Sequence, residues 1–252
     1  MLYAIISDIH ANLDAFEVVL EAIDARGVDQ TVCLGDVVGY NPNPNECADI
    51  LREREIPTIC GNHDAVACGR EDPLGFNPMA QKAAEWTRET LREDNRTWLR
   101  ELPDSRVFSD FFAAHGSPGD RDQYLFSWQD ILPHIAALEH HELSLCFFGH
   151  THSAGIFTPQ GMGELDETGA FAVEEGNVVF INPGSVGQPR DGDPRAAFGF
   201  YDSDTGRFEQ LRLEYPIEKT AERIAASELP EFLADRLFLG REGEPPPCVK
   251  PK

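Results

Sequence analysis

The chain is punctuated by short apolar runs, each ending in a side chain able to hold a metal. Residues 2–7 lead to Asp8 and His10, and residues 31–34 to Gly35 and Asp36. Residues 57–60 run into Asn62, His63 and Asp64, residues 111–115 end on His115, and residues 143–148 precede His150 and His152. A continuous apolar run of this length suits a strand buried on both faces, which requires layers on either side of its sheet. In open α/β folds, ligands gather beyond the carboxyl ends of such strands. Five strand ends carrying Asp, Asn and His therefore predict one crevice lined with metal-type donors.

The segments between these runs alternate accordingly. Asn12 is placed to cap a helix whose apolar positions, Leu13, Phe16, Val19, Leu20 and Ile23, recur at helical spacing, and Gly27 supplies its stop. A second helix is expected over 45–55. Strand–helix–strand–helix–strand at this spacing argues for a parallel sheet in the first third. Two helices then follow without a strand, over 79–91 and 96–102, with Trp86, Leu91, Trp98 and Leu99 on their apolar faces. Residues 65–103 thus read as a helical insertion over the sheet edge. Strands resume at 111–115, 143–148, 154–158, 170–174, 178–182, 196–201 and 207–213. No long helix separates those after 154, so this half is expected to form a mostly antiparallel second sheet. Helices over 217–226 and 230–239 precede a Pro-rich extended tail, 241–252. With no internal repeat or Gly/Ser linker, residues 1–240 are expected to form a single domain.

Composition narrows the partners. Forty-four Asp plus Glu against 21 Lys plus Arg give a formal charge of −23, which disfavours bulk binding to duplex nucleic acid or an anionic membrane. The six cysteines, at 33, 47, 60, 68, 146 and 248, show no CxxC spacing, and three lie in apolar runs. This points to a reducing compartment rather than a disulfide framework. The N-terminus has no basic stretch and meets Asp8 early, so it reads as a strand rather than a secretion signal. No apolar run approaches the roughly 18 residues of a spanning helix. A cytoplasmic protein acting on a small molecule is expected; oligomeric state is not legible.

Taken singly, each candidate has a structural alternative. Asp8 suits a helix cap or turn, Asp36 after Gly35 suits a turn, Asn62 tolerates a left-handed turn, and His115 suits a hydrogen-bonded structural role. Two histidines at i and i+2, as in GHTH, point the same way in an extended segment, and Gly149 permits close approach. The joint pattern is what carries weight, because every instance follows an apolar run. Five of the eight histidines sit in these positions. The other three, His134, His140 and His141, lie on or beside a helix and are assigned no chemistry.

The order SDIHANLDA, GDVVGYNPNP, GNHD, AHGS, GHTH resembles the calcineurin-like metallophosphoesterase superfamily across residues 4–153. GDVVGYNPNP, the insertion and NPGSVGQPRDGDPRA are more specifically similar to its prokaryotic branch, related to diadenosine tetraphosphatases and YfcE-type phosphodiesterases. That extends the similarity to about residue 215. The resemblance implies an α/β/β/α two-sheet sandwich with a small helical cap. It also implies a dinuclear metal site in which Asp8, His10 and His152 bind one ion, Asn62, His115 and His150 the other, and Asp36 bridges both. His63 would face the leaving-group oxygen as a general acid, with Asp64 beside it to orient it.

Two divalent ions roughly 3.5–4 Å apart can clamp a phosphoryl group and generate hydroxide near neutral pH to attack phosphorus. Mixed imidazole and carboxylate ligation suits transition metals, Mn first, with Fe, Zn, Ni or Co as alternatives, over Ca or Mg. In NPGSVGQPRDGDPR, Arg190 is the better placed of two arginines for phosphate; the structural alternative is a turn-rich connection with surface arginines. Phe76, Trp86 and Trp98 of the insertion are read as helix core rather than a platform for a base. A metal-dependent hydrolase of a small phosphomonoester, phosphodiester or nucleotide is the leading reading. A non-catalytic, metal-containing interaction module of the same fold is its alternative.

Overall fold

The structure, a computed structural model, describes residues 1–174 and 176–241. Apart from Arg241, the expected Pro-rich tail lies outside the described residues, as does Cys248.

Among the described residues, eleven strands form two sheets. The first has the order β2 (Gln30–Cys33), β1 (Leu2–Ile6), β10 (Ala196–Asp202), β11 (Arg207–Leu213), β8 (Ala170–Ala172). The second runs β3 (Ser105–Val107), β4 (Phe112–Ala114), β5 (Leu145–Phe147), β9 (Val179–Asn182), β6 (Gly155–Thr158), β7 (Gly161–Met162). Side-chain alternation along the strands builds three cores at once. Tyr3 and Ile5 of β1 face the second sheet, meeting Leu145, Phe147, Val179 and Ile181. Ala4 and Ile6, one position out of phase, face outward onto Phe16, Val19, Leu20 and Ile23 of α1 (Leu13–Arg26). On the far side, Cys146 and Phe180 pack with Phe148 against Ile131 and Leu138 from the short helices between β4 and β5. Helices, sheet, sheet and helices thus stack as the expected α/β/β/α sandwich.

Helix α1 forms as its sequence dictates. Asn12 Oδ1 accepts from the backbone of Ala15, and Gly27 closes the helix in a left-handed conformation (φ 69°). Helix α2 (Pro44–Glu53) follows, and β1 and β2 pair in parallel. Helix α3 (Asn62–Ala67) begins three residues before the expected insertion, within which α4 (Pro78–Thr90) and α5 (Glu93–Glu101) follow. Ala80 and Ala83 of α4 pack with Ile224, Leu233 and Leu237 from the C-terminal helices, and Trp86 joins them. Trp98 packs on the outer core of the first sheet.

Two expectations are corrected. The C-terminal half does not make a separate antiparallel sheet: β10 pairs antiparallel with β1, placing β10, β11 and β8 in the first sheet, while β9 pairs in parallel with β5. Residues 57–60 lie beside β2 but make only one parallel bridge, Cys33 with Thr58. Pro57 brings no N–H on one side of that bridge, and on the other the Gly61 N–H goes to Asp64 Oδ2, so the ladder stops after the Ile59 N–H meets the Cys33 carbonyl. The described cysteines, Cys33, Cys47, Cys60, Cys68 and Cys146, are buried free thiols. No helix among the described residues is long and apolar enough to cross a membrane.

Candidate metal centre

The carboxyl ends of β1, β2, β4 and β5 open at the same edge of the sandwich, and sharp turns there aim the polar residues inward. Asp8 (φ 53°), His10 (46°), Asp36 (52°), His150 (64°) and His152 (56°) all adopt left-handed backbone. For non-glycine residues this costs of order 1–3 kcal/mol each and persists only where the surroundings over-determine it. The loop after β1 is indeed fastened to the loop after β2: Asp8, His10 and Ala11 donate from their backbones to Gly35, Asp36 and Val37 at 3.0, 2.8 and 2.8 Å. Gly61 and Gly149 permit the crowding. A Cβ on Gly61 would collide with Asp36, and one on Gly149 with Ser7 Oγ.

Seven side chains converge. Ligand atoms of Asp8, His10, Asp36 and His152 lie within 4.8 Å of one another, as do those of Asp36, His115 and His150. Asp36 belongs to both groups. His10 Nε2 is 3.3 Å and His115 Nε2 3.4 Å from Asp36 Oδ2, His152 Nε2 is 3.4 Å from Asp8 Oδ1, and Asn62 Oδ1 is 3.2 Å from His115 Nε2. All seven are buried.

The surrounding backbone decides which nitrogen each imidazole presents. Nδ1 of His10, His115 and His152 lies against the carbonyls of Val38 (2.9 Å), Leu34 (2.8 Å) and Gln188 (2.7 Å). A carbonyl only accepts, so Nδ1 carries the proton and Nε2 presents a lone pair or a second proton to the centre. His150 is reversed: its Nε2 contacts the Asp122 carbonyl at 3.1 Å, leaving Nδ1 for an ion. The Nε2 atoms of His10 and His152 stand 3.0 Å apart, and Asp8 Oδ2 and Asp36 Oδ2 are buried without hydrogen-bond partners. Buried oxygens without partners, beside two imidazole nitrogens sharing one space, are costly unless a cation joins them. The donor set fits a pair of divalent ions.

Charge behaves accordingly. Burial drives His150 down to about 3, helped by His115, and drives His152 well below its ordinary value. Burial pushes the Asp8 carboxyl up. Burial would also raise Asp36, but His115 and His10 beside it together hold it well below the usual carboxylate range. His115 opposes its own burial: the Asp36 carboxylate beside it raises it to about 9.

His63 lines an adjoining cleft of ≈ 490 Å³, together with Tyr40, Phe76, Tyr124 and His150. Its ring lies between Tyr40 and Phe76, at centroid distances of 4.4 and 4.6 Å, and its backbone N–H donates to Asp36 Oδ1 at 2.9 Å. Burial holds the imidazole well below its ordinary pKa, hence neutral. Asp64 directs both oxygens to backbone, accepting from Val38 (3.1 Å) and Gly61 (3.0 Å). Here it locks the turn after residue 60 to the turn after β2, rather than orienting His63. Arg190 lies above Tyr40, its Cζ 5.6 Å from the ring centroid, and Nη2 donates to Gln188 Oε1.

Several contributors escaped the sequence reading. Tyr40 contacts both His10 and His63, and Phe76, read as helix core, also covers His63. Asn182 donates to the Gly149 carbonyl and to Thr151 Oγ1, shaping the GHTH turn, and Ser185 Oγ donates to the Asp8 carbonyl. Tyr40, Asn182 and Ser185 stood within quoted motifs, whose Gly and Pro spacing was the available signal.

A two-sheet α/β sandwich with paired His/Asp donor groups at its strand ends defines a metal-dependent phosphoesterase. A profile of the calcineurin-like phosphoesterase superfamily domain matches residues 1–206, and the chain belongs to that superfamily. It is 36% identical over 242 residues to the uncharacterized protein MJ0912 of Methanocaldococcus jannaschii, covering 94% of this chain and 98% of that one. It is 27% identical over 208 residues to phosphodiesterase YfcE of Escherichia coli, covering 79% and 85%. The crystal structure of a metallophosphoesterase from Sphaerobacter thermophilus superposes with a TM-score of 0.81 at 36% identity, over 95% of this chain and 100% of that one.

Proposed function

We propose that the chain hydrolyses small phosphomonoesters, phosphodiesters or nucleotides at a dinuclear centre. Asp8, His10 and His152 would hold one ion, Asn62, His115 and His150 the other, with Asp36 shared; Mn is the first candidate, before Fe, Zn, Ni and Co. The observation carrying this reading is the shared position of Asp36, which belongs to both donor groups and whose buried Oδ2 lies 3.3 Å from His10 Nε2 and 3.4 Å from His115 Nε2. The phosphodiesterase activity named for the YfcE relative supports the ester class.

Bound divalent ions supply Lewis acidity for a phosphoryl oxygen and acidify water. The chain supplies the rest. Asp36 fixes the centre relative to His63 through the His63 backbone N–H. Tyr40 and Phe76 flank the His63 imidazole, which lines the cleft. In the free protein that ring is neutral and offers a hydrogen bond; an incoming phosphate anion raises its proton affinity, so that it can protonate the departing oxygen.

The test uses metal-stripped protein supplied separately with Mn, Zn, Ni and Mg, on p-nitrophenyl phosphate, bis(p-nitrophenyl) phosphate and a dinucleoside tetraphosphate. Turnover restored by a transition metal is expected; inertness in every combination sinks the proposal in favour of a non-catalytic module. His63→Ala should lower turnover about 10²–10⁴-fold, most on substrates with poor leaving groups, while metal content stays at the wild-type level. Loss of metal in that variant would make His63 a ligand instead.

A further inference from the structure

Beyond His150 the described surface continues into a second cleft, ≈ 520 Å³, that shares Asn77 and Tyr124 with the cleft containing His63. Its remaining lining is Phe126, Thr151, Ser153, Arg190 and Arg241. Two features set it apart. In a chain with 44 acidic residues against 21 basic ones, its described lining holds two arginines and no carboxylate. The cleft beside His63, by contrast, carries Glu71, Asp72 and Asp122.

The second feature is a stack of rings leading outward from the centre. Tyr124 stacks on His150 at 4.1 Å between centroids and 25° between planes, and Phe126 stacks on Tyr124 at 5.6 Å and 4°. Residues 124 and 126 lie two apart on an irregular stretch, and their rings are nearly parallel. Phe126 is 62% exposed and Tyr124 46%. Large exposed aromatic rings beside a polar cleft are what a planar ligand would cover.

We propose that this second cleft is a specificity subsite for the nucleotide arm of the substrate, with Phe126, the outermost ring of the stack, stacking the base, Tyr124 backing it, and Arg190 and Arg241 meeting a further phosphate. This rests on the hydrolase reading above and deepens it by naming the substrate class. Flat rings accept any base by stacking, and guanidiniums match phosphate oxygens in paired geometry. Because the two clefts meet at Tyr124, a phosphorus atom at the metal centre and a base on the shelf can belong to one molecule.

The experiment compares two non-hydrolysable probes on Mn-loaded protein by calorimetry: α,β-methylene-ADP, which has a base, and methylenediphosphonate, which has only the paired phosphonates. The wild type is expected to prefer the nucleotide at least about fivefold, the lower end of a single base–aromatic stack. Phe126→Ala should abolish most of that preference, and Phe126→Trp should retain it. The Phe126 ring is largely exposed, and an unchanged thermal midpoint in each variant verifies the fold. Equal binding of both probes by the wild type, or an undiminished preference in Phe126→Ala, overturns the subsite. Wild-type turnover of p-nitrophenyl phosphate judges the hydrolase reading separately, since that substrate has no nucleotide arm. The probe ratio decides the subsite whichever way that turnover falls.

Discussion

Asp36→Asn is the sharpest perturbation of the centre. The amide oxygen can still accept from the His63 backbone N–H, 2.9 Å from Oδ1 in the native chain, so the turn keeps its anchor. What changes is Oδ2, which faces His10 Nε2 at 3.3 Å and His115 Nε2 at 3.4 Å. An NH₂ group there points hydrogens at the lone pairs an ion needs, and one negative charge between two dications is lost. At ~4 Å and an effective dielectric of about 20, each pair of unit charges is worth about 4 kcal/mol. Counting a single such pair per ion gives a loss of about a thousandfold in metal affinity. Chelator competition yields the two dissociation constants, and elemental analysis after dialysis gives the metal content. Two equivalents retained at affinities within about tenfold of the wild type would refute the bridging assignment and the charge argument with it.

Metal affinity should also depend on pH through His115. Its native pKa, about 9, is raised from 6.5, so the metal-free protein holds that proton across the window between the two values and an entering ion must displace it. Apparent affinity should therefore climb by about tenfold per pH unit from this group and level off above pH 9; a flat profile in chelator competition between pH 6.5 and 9 contradicts it. By the same linkage, the proton's contribution to the stability of the metal-free fold is full below pH 6.5 and disappears as pH rises through about 9. Asp64→Asn puts an NH₂ opposite one of two backbone donors, Gly61 or Val38, and should destabilise the fold by about 1–3 kcal/mol in urea denaturation. Unchanged stability with a shifted pH–rate profile would instead give Asp64 the role of orienting His63. Phe147, fully buried between the sheets against Phe111 and Tyr201, should lose about 3–5 kcal/mol on replacement by Ala, with a lower urea midpoint.

The positions of the donor side chains were legible because each follows from a local pattern: an apolar run, then Asp, Asn or His at the turn. The nitrogen each histidine presents was not. It depends on the carbonyls of Val38, Leu34, Gln188 and Asp122, which lie 28 to 81 residues away in sequence and arrive only through tertiary folding. Sheet membership failed for a similar reason. The apolar run at 196–201 announces a strand, but nothing local says that β10 will zip against β1, with Leu2 opposite Asp202. Adjacency of Asp64 to His63 in sequence suggested contact, and its carboxylate accepts from the Gly61 and Val38 backbones, the latter 26 residues away in sequence. Tyr124 and Phe126 carried a period-two signal too short to separate from an ordinary loop.

The acidity of the chain bears on substrate choice differently once the clefts are known. Asp8 and Asp36 contribute −2 at the centre, and two divalent ions would turn that local sum to +2. Carboxylates more than roughly 8 Å away are largely screened at physiological salt, so most of the −23 has no say there. Glu71, in the cleft beside His63, is paired with Arg121, but Asp72 and Asp122 also line that cleft. They disfavour extra negative charge on that side of the reacting phosphorus, while the arginines of the second cleft favour it on the other. A substrate with charge distributed unevenly about its phosphorus, neutral toward His63 and anionic toward Arg190 and Arg241, suits the protein better than a compact phosphomonoester. Raising the salt concentration should therefore weaken binding of nucleotide substrates more than that of p-nitrophenyl phosphate, and an equal effect on both KM values would count against this asymmetry.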